Sequence, residues 1–370
     1  MFLNKLFVLQ FKSYREMEWQ FSPEVNFLVG DNGTGKTNVL DAVHYLLFCK
    51  SYFNPIDSQC ITSDGDQFMI SGIFEKDGVE DHISCSVKKG QKKIFRRNKK
   101  DYEKLSDHIG LFPGVMISPY DVDLIDGGSE VRRKFLDGLI SQYSHEYLER
   151  LIIYNKALQQ RNALLKSSGR QRELIHAAIE PWNMMLTEHA GYIFETRLAF
   201  FAEFLPVFEK VYSELSRGRE VPTLVYESEL RSQSMEDLLR HSFSKDVQLE
   251  RTTSGIHKDD LDMTVHGHSL KKFGSQGQQK TFVLALKLAQ YDILNAKLGV
   301  KPILMLDDLF DRIDGNRVQA IMDKVSQGTY GQVFITDTSV DRVPSMVDKL
   351  NIEVRIFDTN QQSIKSEFPT

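Results

Sequence analysis

The chain has 370 residues, 41% hydrophobic and 26% charged, with 46 basic against 51 acidic side chains and a net charge of −5. That length suggests two or three domains at about 100–200 residues each. The composition excludes a mostly disordered or collagen-like chain, and the negative balance means that a polyanion partner must be met by a local basic patch.

Three cysteines, Cys49, Cys60 and Cys85, form no C-x-x-C pair, which favours a reducing compartment and argues against a zinc site. No apolar run approaches the roughly 18 residues of a membrane span. Met1-Phe2-Leu3-Asn4-Lys5 lacks the plan of a signal peptide. A soluble, cytoplasmic protein with no membrane partner is expected.

The first 120 residues read as strands and turns with one helix. Lys5–Phe11, Val25–Val29, Phe68–Phe74, Asp81–Lys88 and Gly114–Ser118 are the expected strands. Gly30-Asp31-Asn32-Gly33-Thr34-Gly35-Lys36-Thr37 fits G-x-x-x-x-G-K-[ST], after a strand and opening a helix. Glycines let backbone N–H groups converge on phosphate oxygens, and the helix N-terminus adds partial positive charge. Lys36 would reach the β- and γ-phosphates, and the Thr37 hydroxyl would ligate Mg²⁺.

Residues 88–100 hold eight basic and no acidic side chains, so the rest of the chain, at −5 less +8, carries −13. Lys92, Lys93, Arg96 and Arg97 are candidate DNA contacts, although a solvated hairpin accounts for the run equally well. Asn98-Lys99-Lys100-Asp101 fits the N-K-x-D motif of GTPases. No aspartate between the phosphate loop and Asn98 has glycine three residues on, so the D-x-x-G partner is missing and the match reads as chance.

From about Glu130 to 250 the chain is charged and helical. Leu151, Tyr154, Leu158 and Leu165 fall near one helix face, and Pro181 and Pro206 are expected breaks between helices. His257, in a turn before Asp259 and Asp260, reads as structural rather than catalytic. After Gly255 the α/β character returns, with helices at Gln278–Leu294 and Asn316–Val325 and strands at Pro302–Leu306, Gln332–Ile335 and, last, Ile352–Phe357. The fold class is therefore α/β. One discontinuous head, residues 1–120 plus 255–370, is interrupted by a helical lobe at 121–254.

Ile303-Leu304-Met305-Leu306 ends in Asp307-Asp308. A buried strand delivers side chains at its carboxyl end, so Asp307 would hold Mg²⁺ and Asp308 would polarise an attacking water. Gly274-Ser275-Gln276-Gly277-Gln278 precedes a helix, and Ser275 is a good N-cap; a capped helix start is sufficient to explain it.

Ser275-x-Gly277-Gln278, long after a phosphate loop and shortly before Asp307, resembles the signature of ABC-type ATPases. The class implies a head with a mixed sheet, in which the signature of one subunit caps the γ-phosphate bound by another. ATP then holds two heads together.

Further segments resemble the RecF family of bacterial recombination and replication-repair proteins over nearly the whole chain. They are Leu9-Gln10-Phe11-Lys12-Ser13-Tyr14, Phe27 to Gly33, Leu124-Ile125-Asp126-Gly127-Gly128 with Arg132 to Asp137, Leu158-Gln159-Gln160-Arg161-Asn162-Ala163-Leu164-Leu165-Lys166, and Gly255-Ile256-His257-Lys258-Asp259-Asp260-Leu261. Four departures stand out. Ile256 replaces a usual proline, and Lys12 a common arginine. Leu309 to Asp314 replaces a turn ending in E-L-D, leaving only Asp314 for its dimer contact. Thr336-Asp337-Thr338 lacks the histidine that transporters use as γ-phosphate sensor.

The resemblance implies a slow, DNA-stimulated ATPase that uses ATP and Mg²⁺ and forms a homodimer on ATP. It implies a clamp on single-stranded DNA and gapped duplex, working with RecO and RecR type mediators to place recombinase and support SOS induction. Gly30, Asp31, Asn32, Gly33, Thr34, Gly35, Lys36, Thr37 and Lys12 would hold nucleotide, with Ser275, Gly277 and Gln278 acting in trans. Lys36, Asp307 and Asp308 would be catalytic, and Thr37 and Asp307 would hold the metal. A transporter ATPase would not explain the family-specific segments. An SMC-type structural ATPase needs hundreds of residues of coiled coil, whereas the insert here has about 130.

Overall fold

The computed structural model describes residues 1–167, 172–308, 315–338, 352–360 and 363–368. Contacts divide the chain into two units, Met1–Asp121 with Leu286–Thr370, and Val122–Ala285.

The first unit begins with strands β1 (Phe2–Phe11), β2 (Tyr14–Gln20) and β3 (Val25–Val29), helix α1 (Lys36–Phe48), and strands β4 (Gln67–Lys76), β5 (Val79–Lys88), β6 (Ile94–Arg97), β7 (Lys100–Asp101) and β8 (Gly114–Ile117). The second contains α2 (Asp123–Asp126), α3 (Ser129–Tyr143), α4 (His145–Ser167), α5 (Arg172–Ser216), β9 (Pro222–Glu227), α6 (Met235–Leu249), β10 (Asp260–Val265), β11 (His268–Ser269) and α7 (Leu270–Phe273). Helix α8 (Gln276–Leu298) starts in the second unit and ends in the first. The first unit then continues with β12 (Ile303–Leu306), α9 (Gly315–Ser326), β13 (Val333–Asp337), β14 (Val354–Asp358) and β15 (Ser363–Phe368).

One sheet of the first unit is antiparallel, in the order β2-β1-β4-β5-β6-β7. Asp77-Gly78 and Asn98-Lys99 close two of its hairpins as two-residue loops with positive φ at both positions, the turn whose twist suits paired strands. The N-K-x-D look-alike is thus a hairpin turn, with the Asn98 amide donating to Asp81 at 2.8 Å.

The other sheet runs β15-β14-β3-β13-β12-β8, parallel except for β15. Strands β3, β8, β12 and β13 are buried at every residue. Continuous apolar runs of this kind mark a parallel sheet covered on both faces. The antiparallel β15 extends the sheet beyond the strand expected to be last.

Helix α1 packs against strands of both sheets, and its Val39, Leu40, Val43, Tyr45, Leu46 and Leu47 join side chains from both in one core. It is therefore buried nearly all round.

The second unit corrects one expectation. Pro181 and Pro206 do not separate helices; both lie inside α5, which runs unbroken for 45 residues. An interior proline removes a backbone hydrogen bond and costs about 3 kcal/mol. The buried stripe on either side, Ile179, Leu186, Ile193, Phe204 and Phe208 among it, keeps helical spacing through both prolines and offsets that loss.

The sequence puts the return to the head at residue 255, whereas the division falls after Ala285. The reason is a three-stranded sheet, β11-β10-β9, in which Asp260–Val265 pairs with Pro222–Glu227. That pairing ties the segment after Gly255 to the helical unit.

Candidate functional site

The loop Gly30–Thr37 leaves β3 and enters α1. Gly30, Gly33 and Gly35 have φ of 149°, 86° and 104°, a region that side chains with a Cβ rarely enter. A Cβ at Gly35 would also stand 2.7 Å from the Tyr14 hydroxyl. The loop therefore needs glycine for space as well as for torsion.

Lys36 is 6% exposed, and its Nζ donates to Gly30 O at 2.7 Å and Asp31 O at 2.8 Å. Burial pulls its pKa down, while Asp308, Asp307, Asp31 and Asp337 push it up. The ammonium is held at the loop by carbonyls and surrounded by acids.

Sheet order brings the second element to the first. β12 lies next to β13, and β13 next to β3, so Asp307 emerges at the same edge as the loop. The Thr37 hydroxyl donates to Asp307 Oδ1 at 3.0 Å, and Thr336 Oγ1 donates to the same oxygen at 3.0 Å. Burial pushes the Asp307 carboxyl up to about 6, and the hydrogen bonds from Thr37 and Thr336 work against that rise. Asp308 follows with a φ of 50°, its N–H donating to Thr336 Oγ1 at 2.8 Å. Asp308 Oδ1 is buried and has no hydrogen-bond partner among the described residues. Gly30–Thr37, Asp307 and Asp308 are thus brought together at one sheet edge.

The donor set suits a hard cation: a threonine hydroxyl and a carboxylate oxygen, already in contact. Among the described residues no group of three or more His, Cys, Asp and Glu side chains could hold a metal. A cation here would complete its shell with phosphate oxygens and water, the usual habit of Mg²⁺.

Lys12 sits in the turn between β1 and β2 with φ 51°. Its Nζ pairs with the buried Asp41 at 2.6 Å, and Asp41 also accepts from Ser51 Oγ and Tyr52 N, both at 2.6 Å. The expected nucleotide-binding lysine is therefore engaged by α1.

Ser275, Gly277 and Gln278 belong to the second unit. Ser275 N donates to Gln278 Oε1 at 2.9 Å, and Gln278 N donates to Ser275 Oγ at 3.2 Å. This reciprocal capping box fixes the start of α8. Ser275 and Gly277 are exposed, and a Cβ at Gly277 would meet only Ser275 Oγ, at 3.9 Å. The turn containing Asp314 lies outside the described residues.

The basic run occupies the β5–β6–β7 hairpins. Arg97 forms a two-pronged pair with Asp81 at 2.7 and 2.8 Å, Arg96 pairs with Asp101 at 2.6 Å, and Lys93 with Asp57 at 2.9 Å. Lys92, Lys99 and Lys100 are exposed.

Of the segments behind the family resemblance, those in the second unit form a largely buried charge network. Arg161 Nη1 donates to Asp246 at 2.8 Å and Thr252 Oγ1 at 2.7 Å, while Asn162 Oδ1 accepts from Thr252 N at 2.7 Å. Arg197 Nη1 donates to Asp259 at 2.7 Å, and Arg132 grips Asp260 at 2.6 and 3.0 Å. His257 contacts the Tyr154 hydroxyl at 2.8 Å and Thr252 O at 3.2 Å, and burial lowers its pKa to about 4. It is a packed, neutral residue of this network.

Sequence reasoning singled out neither Asp41, nor Thr359 and Asn360 beside the loop, and noted Thr336 only for what it replaces. A lone threonine or asparagine carries no spacing signal; strand adjacency alone places them.

A parallel sheet with a phosphate loop, Asp307-Asp308 at its edge and a helical unit inserted into the chain defines a P-loop head of the ABC-ATPase type. The family model for the RecF/RecN/SMC N terminal domain matches residues 2–365. A solved SMC head domain from Pyrococcus furiosus superposes with a TM-score of 0.58 at 16% identity, covering 99% of this chain and 96% of that one, a likeness of fold. A solved RecF–ATP structure, that of the recombination mediator protein in the RecFOR pathway, superposes at 0.86 with 26% identity, covering 100% and 98%. DNA replication and repair protein RecF of Phocaeicola vulgatus is 46% identical over 359 residues, 96% of each chain. That of Flavobacterium johnsoniae is 46% identical over 358 residues, covering 97% of this chain and all of its own. The chain belongs to the RecF family of DNA replication and repair proteins.

Proposed function

We propose that this protein is an ATP-dependent DNA-binding switch of recombinational repair and replication restart. ATP closes two copies around single-stranded DNA or a gapped duplex. Slow, DNA-stimulated hydrolysis opens them, and mediators of the RecO and RecR type use the closed state to place recombinase and support SOS induction. The protein acts in the cytoplasm; no described helix is long and apolar enough to cross a membrane.

The observation that carries this reading is the convergence of Lys36, Thr37, Asp307 and Asp308 at one sheet edge. Lys36 would turn from the loop carbonyls to the β- and γ-phosphates. Thr37 and Asp307 would hold Mg²⁺, which when bound neutralises phosphate charge. Asp308, whose Oδ1 lacks a partner among the described residues, would take the proton of the attacking water. Ser275 and Gly277, exposed at a helix start, and the half-buried Gln278 beside them would meet the γ-phosphate of a second copy. The relatives named DNA replication and repair protein RecF support the biological role.

Sedimentation velocity with ATP, ADP or no nucleotide, with and without gapped DNA, tests the reading. A dimer formed with ATP, held on gapped DNA and lost with ADP is expected. Full-rate hydrolysis at concentrations too low for pairing would overturn it.

A further inference from the structure

Beyond β14 the chain turns onto the phosphate loop. β14 runs parallel beside β3 with Asp358 opposite Val29, so Thr359 and Asn360 come to lie beside Gly30 and Asp31. The ladder continues one residue further, with Thr359 N donating to Val29 O at 2.8 Å. The buried Thr359 hydroxyl donates to the same carbonyl at 3.0 Å and stands 2.6 Å from Thr34 Oγ1. Asn360 Oδ1 accepts from Asp31 N at 3.0 Å, and its own N–H donates to Asp358 Oδ1 at 3.0 Å.

A threonine hydroxyl has one proton to give. Thr34 Oγ1 also has a carbonyl to donate to, Asp31 O at 2.9 Å, so one of the two hydroxyls turns its proton into the 2.6 Å contact between them, and that bond holds the middle of the loop to β14. Gly30 is squeezed at the same place, where a Cβ would stand 2.4 Å from Thr359 Oγ1 and 3.2 Å from Asn360 Oδ1. The carbonyls of Gly30 and Asp31 are also the ones that hold Lys36 Nζ. The stretch of loop that carries the lysine on one side is therefore gripped on the other by Thr359 and Asn360.

We propose that Thr359 and Asn360 are positioning residues for the phosphate loop, setting the Gly30–Asp31 stretch in the orientation from which Lys36 and the loop amides reach a triphosphate. They act through the loop and not on the nucleotide. This proposal rests on the reading of the loop as an ATP site and adds that affinity depends on a clasp near the end of the sheet's β14 strand.

The test measures binding of a fluorescent N-methylanthraniloyl ATP to the full chain, the KM and kcat of hydrolysis, and the unfolding temperature without nucleotide. Thr359→Val removes the hydroxyl at constant volume. It is expected to weaken binding about three- to tenfold, the worth of one or two hydrogen bonds. KM should rise, while kcat and the unfolding temperature stay near wild type. Asn360→Ala should act in the same direction, and Thr359→Ser should restore affinity. Should the wild type bind, Lys36→Ala fail to bind, and both Thr359→Val and Asn360→Ala bind like the wild type, the clasp is disproved and the site stands. A wild type that takes up no ATP analogue removes the site and the clasp together. An affinity loss matched by a fall in unfolding temperature, and not rescued by Thr359→Ser, makes the pair a fold element and also overturns the proposal.

Discussion

The Thr37 hydroxyl donates to Asp307 Oδ1 at 3.0 Å across 270 positions of sequence. Strand order alone makes this possible, since only β13 separates the strand before Thr37's loop from the strand before Asp307. The pair presents two hard oxygens to one point. Lys36→Ala is expected to weaken ATP binding by at least about a hundredfold, because a charged donor to phosphate is worth more than a neutral one. Asp307→Asn should bind ATP without the tightening that Mg²⁺ gives the wild type. Calorimetric titrations with Mg²⁺ and with chelator check both; Mg²⁺-enhanced affinity in Asp307→Asn would count against the pair as a metal site.

Asp308 has a buried Oδ1 with no hydrogen-bond partner among the described residues and a backbone pinned by Thr336. Asp308→Asn keeps the shape and removes the proposed base. Hydrolysis should fall about a hundred- to ten-thousandfold, and the ATP-bound dimer should persist. Single-turnover hydrolysis and sedimentation after ATP addition give the two readouts. A variant that hydrolyses at wild-type rate would assign the base elsewhere.

Ser275 is exposed and bonded to its own helix start through Gln278 and Gln279. Ser275→Arg loses that cap at a cost of about 1 kcal/mol, and it places a bulky cation where a second copy's γ-phosphate would sit. ATP binding should match the wild type while ATP-induced dimerisation disappears. Wild-type dimerisation in Ser275→Arg would end the trans-site reading.

The sequence made the core of the site legible because its parts are local. The glycine spacing, the lysine and threonine at the head of α1, and two acids after an apolar strand are each contiguous text. Val25–Val29 matches the observed strand residue for residue. What escaped is what distant segments make together. Thr336 is a plain threonine until β13 is laid beside β12, and Thr359 until β14 is laid beside β3. The two prolines of α5 misled because local backbone chemistry ranks them as breaks, while the buried stripe that carries the helix through is a tertiary effect. The boundary at 255 was drawn on composition, which does not register that β10 pairs with β9.

The basic run now splits into two sets. Lys93 and Arg97 are ion-paired within the protein to Asp57 and Asp81, so reversing them leaves like charges facing each other and lowers stability. Lys92, Lys99 and Lys100 are exposed. If the hairpins face DNA, reversing these three to Glu should weaken binding and reduce the salt slope by about 0.7 per lost contact on single strands, with unfolding unchanged. An unaltered affinity across a salt titration of the triple variant would take DNA away from this edge.

His44 and His108 make stability depend on pH in a defined direction. Both are buried, and burial holds each pKa near about 4 instead of 6.5. His108 Nε2 lies 2.6 Å from Leu46 O and Nδ1 3.0 Å from the Tyr102 hydroxyl, so the neutral ring donates from Nε2. Arg97 and Asp81 act on His108 in opposite senses; around His44, Asp41 favours its charge while Lys50 and Lys287 oppose it. Between pH 4 and 6.5 the unfolded chain binds more protons than the folded one, so stability rises with pH through that window and is lost as pH falls. Each histidine contributes about 3 kcal/mol to the full drop, on the scale of one pKa unit per 1.36 kcal/mol. Urea unfolding at pH 7.5, 6.5, 5.5 and 5.0 should give midpoints that hold from 7.5 to 6.5 and decline below. His108→Gln should start lower at pH 7.5 and decline less steeply; a slope equal to the wild type's would show that the buried imidazole is not a source of the acid sensitivity.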